Sequence, residues 1–141
     1  MILVDTSGLL SALDASEPHH AASRKALLAS AGPRLLSPFV LAELDYLLST
    51  RVSTNVARTF LMEVAQGAYQ LERFDADDVS EAHEILGRYA DLDLGIADAS
   101  IVVLARRHSV VDLLTLDERH FRAVPAIGRR SFLIHPGDDP R

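Results

Sequence analysis

Met1-Ile2-Leu3-Val4-Asp5-Thr6-Ser7-Gly8 opens the chain, and its reading decides the fold. Three consecutive aliphatics with no polar alternation describe a short strand buried on both faces, of the kind a parallel sheet keeps at its centre. An acid follows at once, so the apolar run is too short for a signal peptide. Thr6-Ser7-Gly8 then turn the chain into the next apolar segment. In open α/β sheets, ligands bind outside the carboxyl ends of the strands, which puts Asp5 where such a protein keeps its chemistry. The plainer reading is that Asp5 or Ser7 only caps the following helix.

The rest of the chain repeats this alternation. Gly8–Leu13 reads as a short helix and His19–Ser30 as a second, stopped by Gly32-Pro33. His19 and His20 are adjacent, so on a helix they point about 100° apart and do not chelate one ion. Leu35-Leu36-Ser37 reads as a strand, after which Ser37 and Pro38 supply a cap and a first-turn proline. The helix they open, Phe39–Thr50, is apolar nearly all round and is expected to be largely buried. Helices follow over Ser53–Ala65, Asp77–Tyr89 and Ile96–Arg107, with strands over Ala68–Phe74 and Val110–Leu116. A short helix, Glu118–Val124, precedes a last edge strand at Phe132–Ile134 and a polar tail over about 135–141. Strands alternating with helices through short loops imply a three-layer α/β/α domain with a mostly parallel central sheet. No repeat or linker divides the 141 residues, which suit one domain.

Composition narrows the chemistry. Hydrophobic residues make up 48%, yet no apolar run approaches the roughly 18 residues of a membrane span. With no cysteine, a metal would need oxygen or imidazole ligands, and a cytoplasmic home is expected. The net charge of −6 argues against a nucleic-acid partner at face value. That objection weakens if several carboxylates are gathered around cations. Lys25 is the only lysine among 14 basic residues, which removes any mechanism needing a lysine at a strand end.

Four acids stand out by context. Asp5 and Asp117 each follow a strand, while Glu43 and Asp98 sit among apolar residues on their helices. Glu43 has Phe39, Val40, Tyr46 and Leu47 as helical neighbours, and Asp98 shares a stripe with Ile101, Val102 and Ala105. A carboxylate on such a face must be paired, metal-bound or protonated. For Asp98 the competing reading is a first-turn acid favoured by the helix dipole. Asp45 is flanked by Ala42 and Ser49 and reads as a rim residue. If the four meet beyond the strand ends, they form an anionic cluster with no lysine and no evident histidine to neutralise it. Such a cluster needs a cation, and hard oxygen ligands suit Mg²⁺ or Mn²⁺. Those ions serve phosphodiester hydrolysis by acidifying water and screening the phosphate. Arg106, Arg107, Arg119 and Arg122 flank the Asp98 and Asp117 segments and are candidates for phosphate contacts.

The motifs also carry a family resemblance. Asp5-Thr6-Ser7 after a first strand, Ser37-Pro38-Phe39-Val40-Leu41-Ala42-Glu43-Leu44, Ala97-Asp98-Ala99-Ser100-Ile101, and Thr115-Leu116-Asp117-Glu118-Arg119-His120-Phe121 together resemble the PIN-domain ribonucleases. More narrowly they resemble the VapC-type toxins of bacterial toxin–antitoxin pairs. The likeness runs from Met1 to about Val124. It implies that Asp5, Glu43, Asp98 and Asp117 are catalytic metal ligands, with Thr115 a supporting hydroxyl and Asp93 outside the set. It further implies Mg²⁺- or Mn²⁺-dependent endonucleolytic cleavage of RNA, a homodimer, and inhibition by a cognate antitoxin protein.

Other readings share the fold class. A phospho-accepting receiver domain needs a lysine after a late strand, and Lys25 lies in an early helix. A haloacid-dehalogenase-type phosphatase needs a second aspartate two residues after its nucleophile, where Ser7 stands. A PIN-type nuclease for RNA processing or DNA without a toxin role remains an alternative. A non-catalytic binding module of the same fold should have lost some of the four acids.

Overall fold

The computed structural model describes residues 1–141, and its centre is the opening strand. Strand β1 (Ile2–Val4) lies between β2 (Arg34–Leu36) and β4 (Asp112–Leu114). β3 (Gln70–Leu71) and β5 (Leu133–His135) form the edges, giving the order β3-β2-β1-β4-β5. All four pairings are parallel, with Leu3 opposite both Leu35 and Leu113. Successive side chains on a strand point to opposite faces, and Ile2, Leu3 and Val4 are all buried. Both faces of the sheet are therefore covered, as the unbroken aliphatic run requires.

Seven helices supply the cover: α1 (Thr6–Leu13), α2 (His20–Ala29), α3 (Pro38–Arg51), α4 (Thr54–Ala65), α5 (Ala76–Arg88), α6 (Ile96–His108) and α7 (Glu118–Ala123). α1 packs on α2 and α3, α3 on α4, and α5 on α6. The first turn of α1 lies directly against β4. A Cβ added at Gly8 would fall 2.5 Å from the Leu114 carbonyl oxygen, so only glycine permits that approach.

The middle of α6 is enclosed. From Ala99 to Ala105 every residue is buried, and their small or branched side chains let neighbours approach from all sides. α3 departs from expectation. Only Val40, Leu44 and Leu48 are buried, one stripe at four-residue spacing, while Tyr46 is 67% exposed. One such stripe is enough to seat a helix, so the remaining apolar residues of α3 are surface.

The strands and helices otherwise shift only at their ends. β3 is two residues rather than seven, and β4 is three rather than seven. α1 begins at Thr6, with Asp5 as its cap position in extended conformation. The tail is not loose: Asp138 accepts the Ile134 N–H at 2.8 Å and pairs with Arg122 at 2.7 Å. His135 bridges Asp112 and Asp139, fixing the end of β5.

Candidate functional site

The chain places β1, β2 and β3 outward in one direction and then returns to place β4 and β5 on the other side of β1. The order therefore reverses between β1 and β4, and the crevice beyond the carboxyl ends of those two strands is the expected ligand position. Asp5 leaves β1 there, and Asp117 leaves β4 three residues past its end.

A hydroxyl network locks the two strand ends together. Thr115 Oγ1 donates to Asp5 Oδ2 at 2.7 Å, and Ser7 Oγ donates to the same oxygen at 3.1 Å. Thr115 Oγ1 also accepts the Asp117 N–H at 2.9 Å, and Ser7 Oγ accepts the Leu116 N–H at 2.9 Å. The close seat of Gly8 on β4 is what brings Ser7 within reach of Leu116. Asp5 is 5% exposed and Thr115 only 1%.

A second pair of hydroxyls aligns the helices. Ser37 caps α3 by accepting the Phe39 N–H at 3.2 Å, and its Oγ lies 2.6 Å from Ser100 Oγ in the first turns of α6. The starts of α3 and α6 are thus tied at the end of β2. Asp98, in the first turn of α6, accepts the Gly95 N–H on Oδ2 at 3.0 Å. It is therefore a cap as well as a candidate site acid. Since Gly95 has no side chain to return the bond, only half of a capping box is present.

The electrostatics show that the acids share a field. Burial pushes Asp5 up to about 6; the Thr115 hydroxyl bond opposes this and the Asp98 charge adds to it. Asp98 is also raised. Burial is its largest cause, the Gly95 N–H and the His120 charge oppose it, and the charges of Asp117 and Glu43 reinforce it. Glu43 takes part from an exposed position on α3 rather than from the buried one expected of it. Asp93 is exposed and in left-handed conformation.

The structure adds a histidine that sequence reading left out. Ligand atoms of Asp98, Asp117 and His120 lie within 4.8 Å of one another. His120 Nδ1 bonds Asp117 Oδ2 at 2.8 Å, while the His120 backbone N–H donates to Asp117 Oδ1 at 3.3 Å. The signal was present as an i, i+3 spacing from Asp117 on a short helix. The expectation of a cluster without a histidine is corrected accordingly.

Three of the four candidate arginines are otherwise engaged. Arg106 pairs with Glu81 at 3.2 Å and Arg107 with Asp78 at 2.7 Å. Both lie eight or more residues past Asp98 along α6, roughly 12 Å at 1.5 Å per residue. Arg122 joins Glu118 and Asp138, leaving Arg119 as the exposed member without an acidic partner.

An all-parallel sheet of this order with helices on both faces is the architecture of a PIN domain, and the sequence matches the PIN domain family over residues 2–127. The chain belongs to that family. It is 44% identical over 135 residues to "Ribonuclease VapC26" of Mycobacterium tuberculosis, covering 96% of this chain and all of that protein. Among solved structures it is similar to Mycobacterium tuberculosis VapC20, a "Sarcin-Ricin loop cleaving toxin", with TM-score 0.81 and 20% identity. That match covers 93% of this chain and 99% of VapC20. VapBC2 from Rickettsia felis, bound to a DNA fragment from its promoter, matches with TM-score 0.66 and 21% identity over 95% of this chain and 98% of that one.

Proposed function

We propose that Asp5, Glu43, Asp98 and Asp117 form the divalent-metal centre of an endoribonuclease. The protein is a PIN-domain ribonuclease of the VapC toxin kind, supported by its likeness to Ribonuclease VapC26 along nearly its full length. The observation that carries the metal reading is the approach of carboxylate oxygens of Asp98 and Asp117 and a nitrogen of His120 to within 4.8 Å of one another. Burial holds Asp5 near 6 and raises Asp98; the Asp98 charge adds to the first shift, and the Asp117 and Glu43 charges add to the second. Such a set fits a cation, and its oxygen-rich composition suits Mg²⁺ or Mn²⁺. When bound, the ion screens the phosphodiester charge and makes water more acidic.

The chain's own residues do the rest. Thr115 and Ser7 hold Asp5 Oδ2 and fix the carboxylate at the end of β1. The Ser37–Ser100 contact fixes Asp98 relative to the strand ends. Arg119 is exposed beside Asp117 and is the basic residue placed to meet an RNA phosphate.

The partner reading follows the family. RNA is the substrate, an antitoxin protein binds the toxin, and two copies form a homodimer. The antitoxin is supported by the VapBC2 neighbour, and exposed Tyr46 on α3 and Met62 on α4 leave apolar surface for a partner to cover. No helix is long and apolar enough to cross a membrane. Residues 1–141 act as one PIN-like domain in the cytoplasm, where absence of cysteine is no handicap.

Incubating the purified protein with RNA in Mg²⁺, in Mn²⁺ and in EDTA tests the proposal. Cleavage with either ion, lost in EDTA and restored by added metal, is expected. Equal cleavage in EDTA would overturn the metal centre.

A further inference from the structure

We infer that His120 supplies a nitrogen donor to this centre and tilts its preference from Mg²⁺ towards Mn²⁺; the inference rests on the metal reading above. His120 comes from α7, and its ligand atom lies within 4.8 Å of those of both Asp98 and Asp117. Its side chain is 21% exposed, so it is held against the site rather than waving in solvent.

The contacts distinguish the two ring nitrogens. Nδ1 lies 2.8 Å from Asp117 Oδ2, close to the separation of two ligands that share one ion, so Nδ1 is the nitrogen that faces the acids. Without metal the pair shares a proton; a bound ion would take that proton's place, with the ring proton on Nε2. The His120 backbone N–H donates to Asp117 Oδ1 at 3.3 Å and holds the carboxylate against the ring. An ion on Nε2 would instead lie on the far side of the ring from Asp117.

The consequence is selectivity. Mg²⁺ demands oxygen ligands and keeps much of its water, whereas imidazole favours first-row transition ions over it. Four carboxylates alone would leave the centre nearly indifferent between Mg²⁺ and Mn²⁺. One imidazole breaks the tie.

Mn²⁺ itself is the probe. The metal-free protein is loaded with Mn²⁺ and its pulsed electron paramagnetic resonance spectrum is recorded for ¹⁴N coupling. Competition with Mg²⁺ then gives the ratio of the two affinities in the wild type and in His120→Gln. We expect ¹⁴N modulation in the wild type, its loss in the variant, and a fall in the Mn²⁺-to-Mg²⁺ affinity ratio of roughly tenfold. Bound Mn²⁺ without nitrogen coupling in the wild type would overturn the role of His120 and leave the carboxylate centre standing. Absence of Mn²⁺ binding altogether would overturn the centre as well. The wild-type spectrum decides even if the variant folds poorly.

Discussion

Thr115 Oγ1 donates to Asp5 Oδ2 at 2.7 Å across 110 positions of sequence, joining the ends of the two strands between which the sheet order reverses. The same oxygen accepts the Asp117 N–H, so one hydroxyl sets the spacing of two site acids. A hydroxyl can donate once and accept from others, which a methyl group in its place cannot do. The bond also lowers the pKa of Asp5, opposing the burial that raises it. Thr115 therefore keeps Asp5 nearer to its charged form in a site that would otherwise neutralise it.

The raised pKa of Asp5 makes metal-free stability depend on pH. Its carboxyl moves from 3.8 to about 6 on folding, so between those values the folded protein binds more protons than the unfolded chain. Stability from this group is fully present below about pH 4 and is lost as pH rises through 6. A shift of that size corresponds to something on the order of 3 kcal/mol. Asp5→Asn keeps an oxygen to accept from Thr115 and Ser7 but carries no charge. In EDTA the variant should melt above the wild type at pH 8, with the gap closing towards pH 4. Parallel pH profiles for the two proteins would show that Asp5 does not carry this penalty.

The arginines test the RNA-facing side. Arg119 is exposed with no acidic partner, whereas Arg122 is tied to Glu118 and Asp138 and helps fasten the tail. Arg119→Ala should weaken binding of a labelled RNA, measured in EDTA to stop cleavage. It should also reduce the slope of log affinity against log salt by about one. Arg122→Ala should leave that slope unchanged and make residues near Asp138 easier to proteolyse. The reverse pattern would place RNA over the tail instead.

These contrasts mark what the sequence could show. β1, with Asp5 after it, was legible because three aliphatics in a row admit only a two-sided burial. α6 was legible because small and branched residues recur without a polar face. Burial of α3 was misread because apolar composition does not say whether a surface is covered by this chain or by a partner. Tyr46 is left exposed by this chain. Arg106 and Arg107 were placed near the site because they follow Asp98 in sequence, but helical rise carries them away and Glu81 and Asp78 take them up. The i, i+3 spacing ties His120 to Asp117, but its approach to Asp98 depends on how α7 meets α6, which no local pattern records.

Asp98 must be separated into the cap that the structure shows and the metal ligand proposed above. Its Oδ2 accepts the Gly95 N–H at 3.0 Å, and its carboxyl is raised by burial and by Asp117 and Glu43. Asp98→Asn retains an acceptor oxygen, so most of the cap should survive. The charge is removed from a mutually repelling set, so the variant should melt higher than the wild type in EDTA. Added Mg²⁺ stabilises a protein that binds it by mass action, about 2.7 kcal/mol at a hundred times the dissociation constant. The wild type should show that gain in millimolar Mg²⁺ and the variant should show much less. RNA cleavage should fall by about two orders of magnitude or more, in keeping with the several kcal/mol a bound divalent ion contributes. Four melting midpoints and one cleavage assay decide the matter. A variant that melts lower in EDTA, gains as much from Mg²⁺ as the wild type and still cleaves RNA would make Asp98 a cap and nothing more.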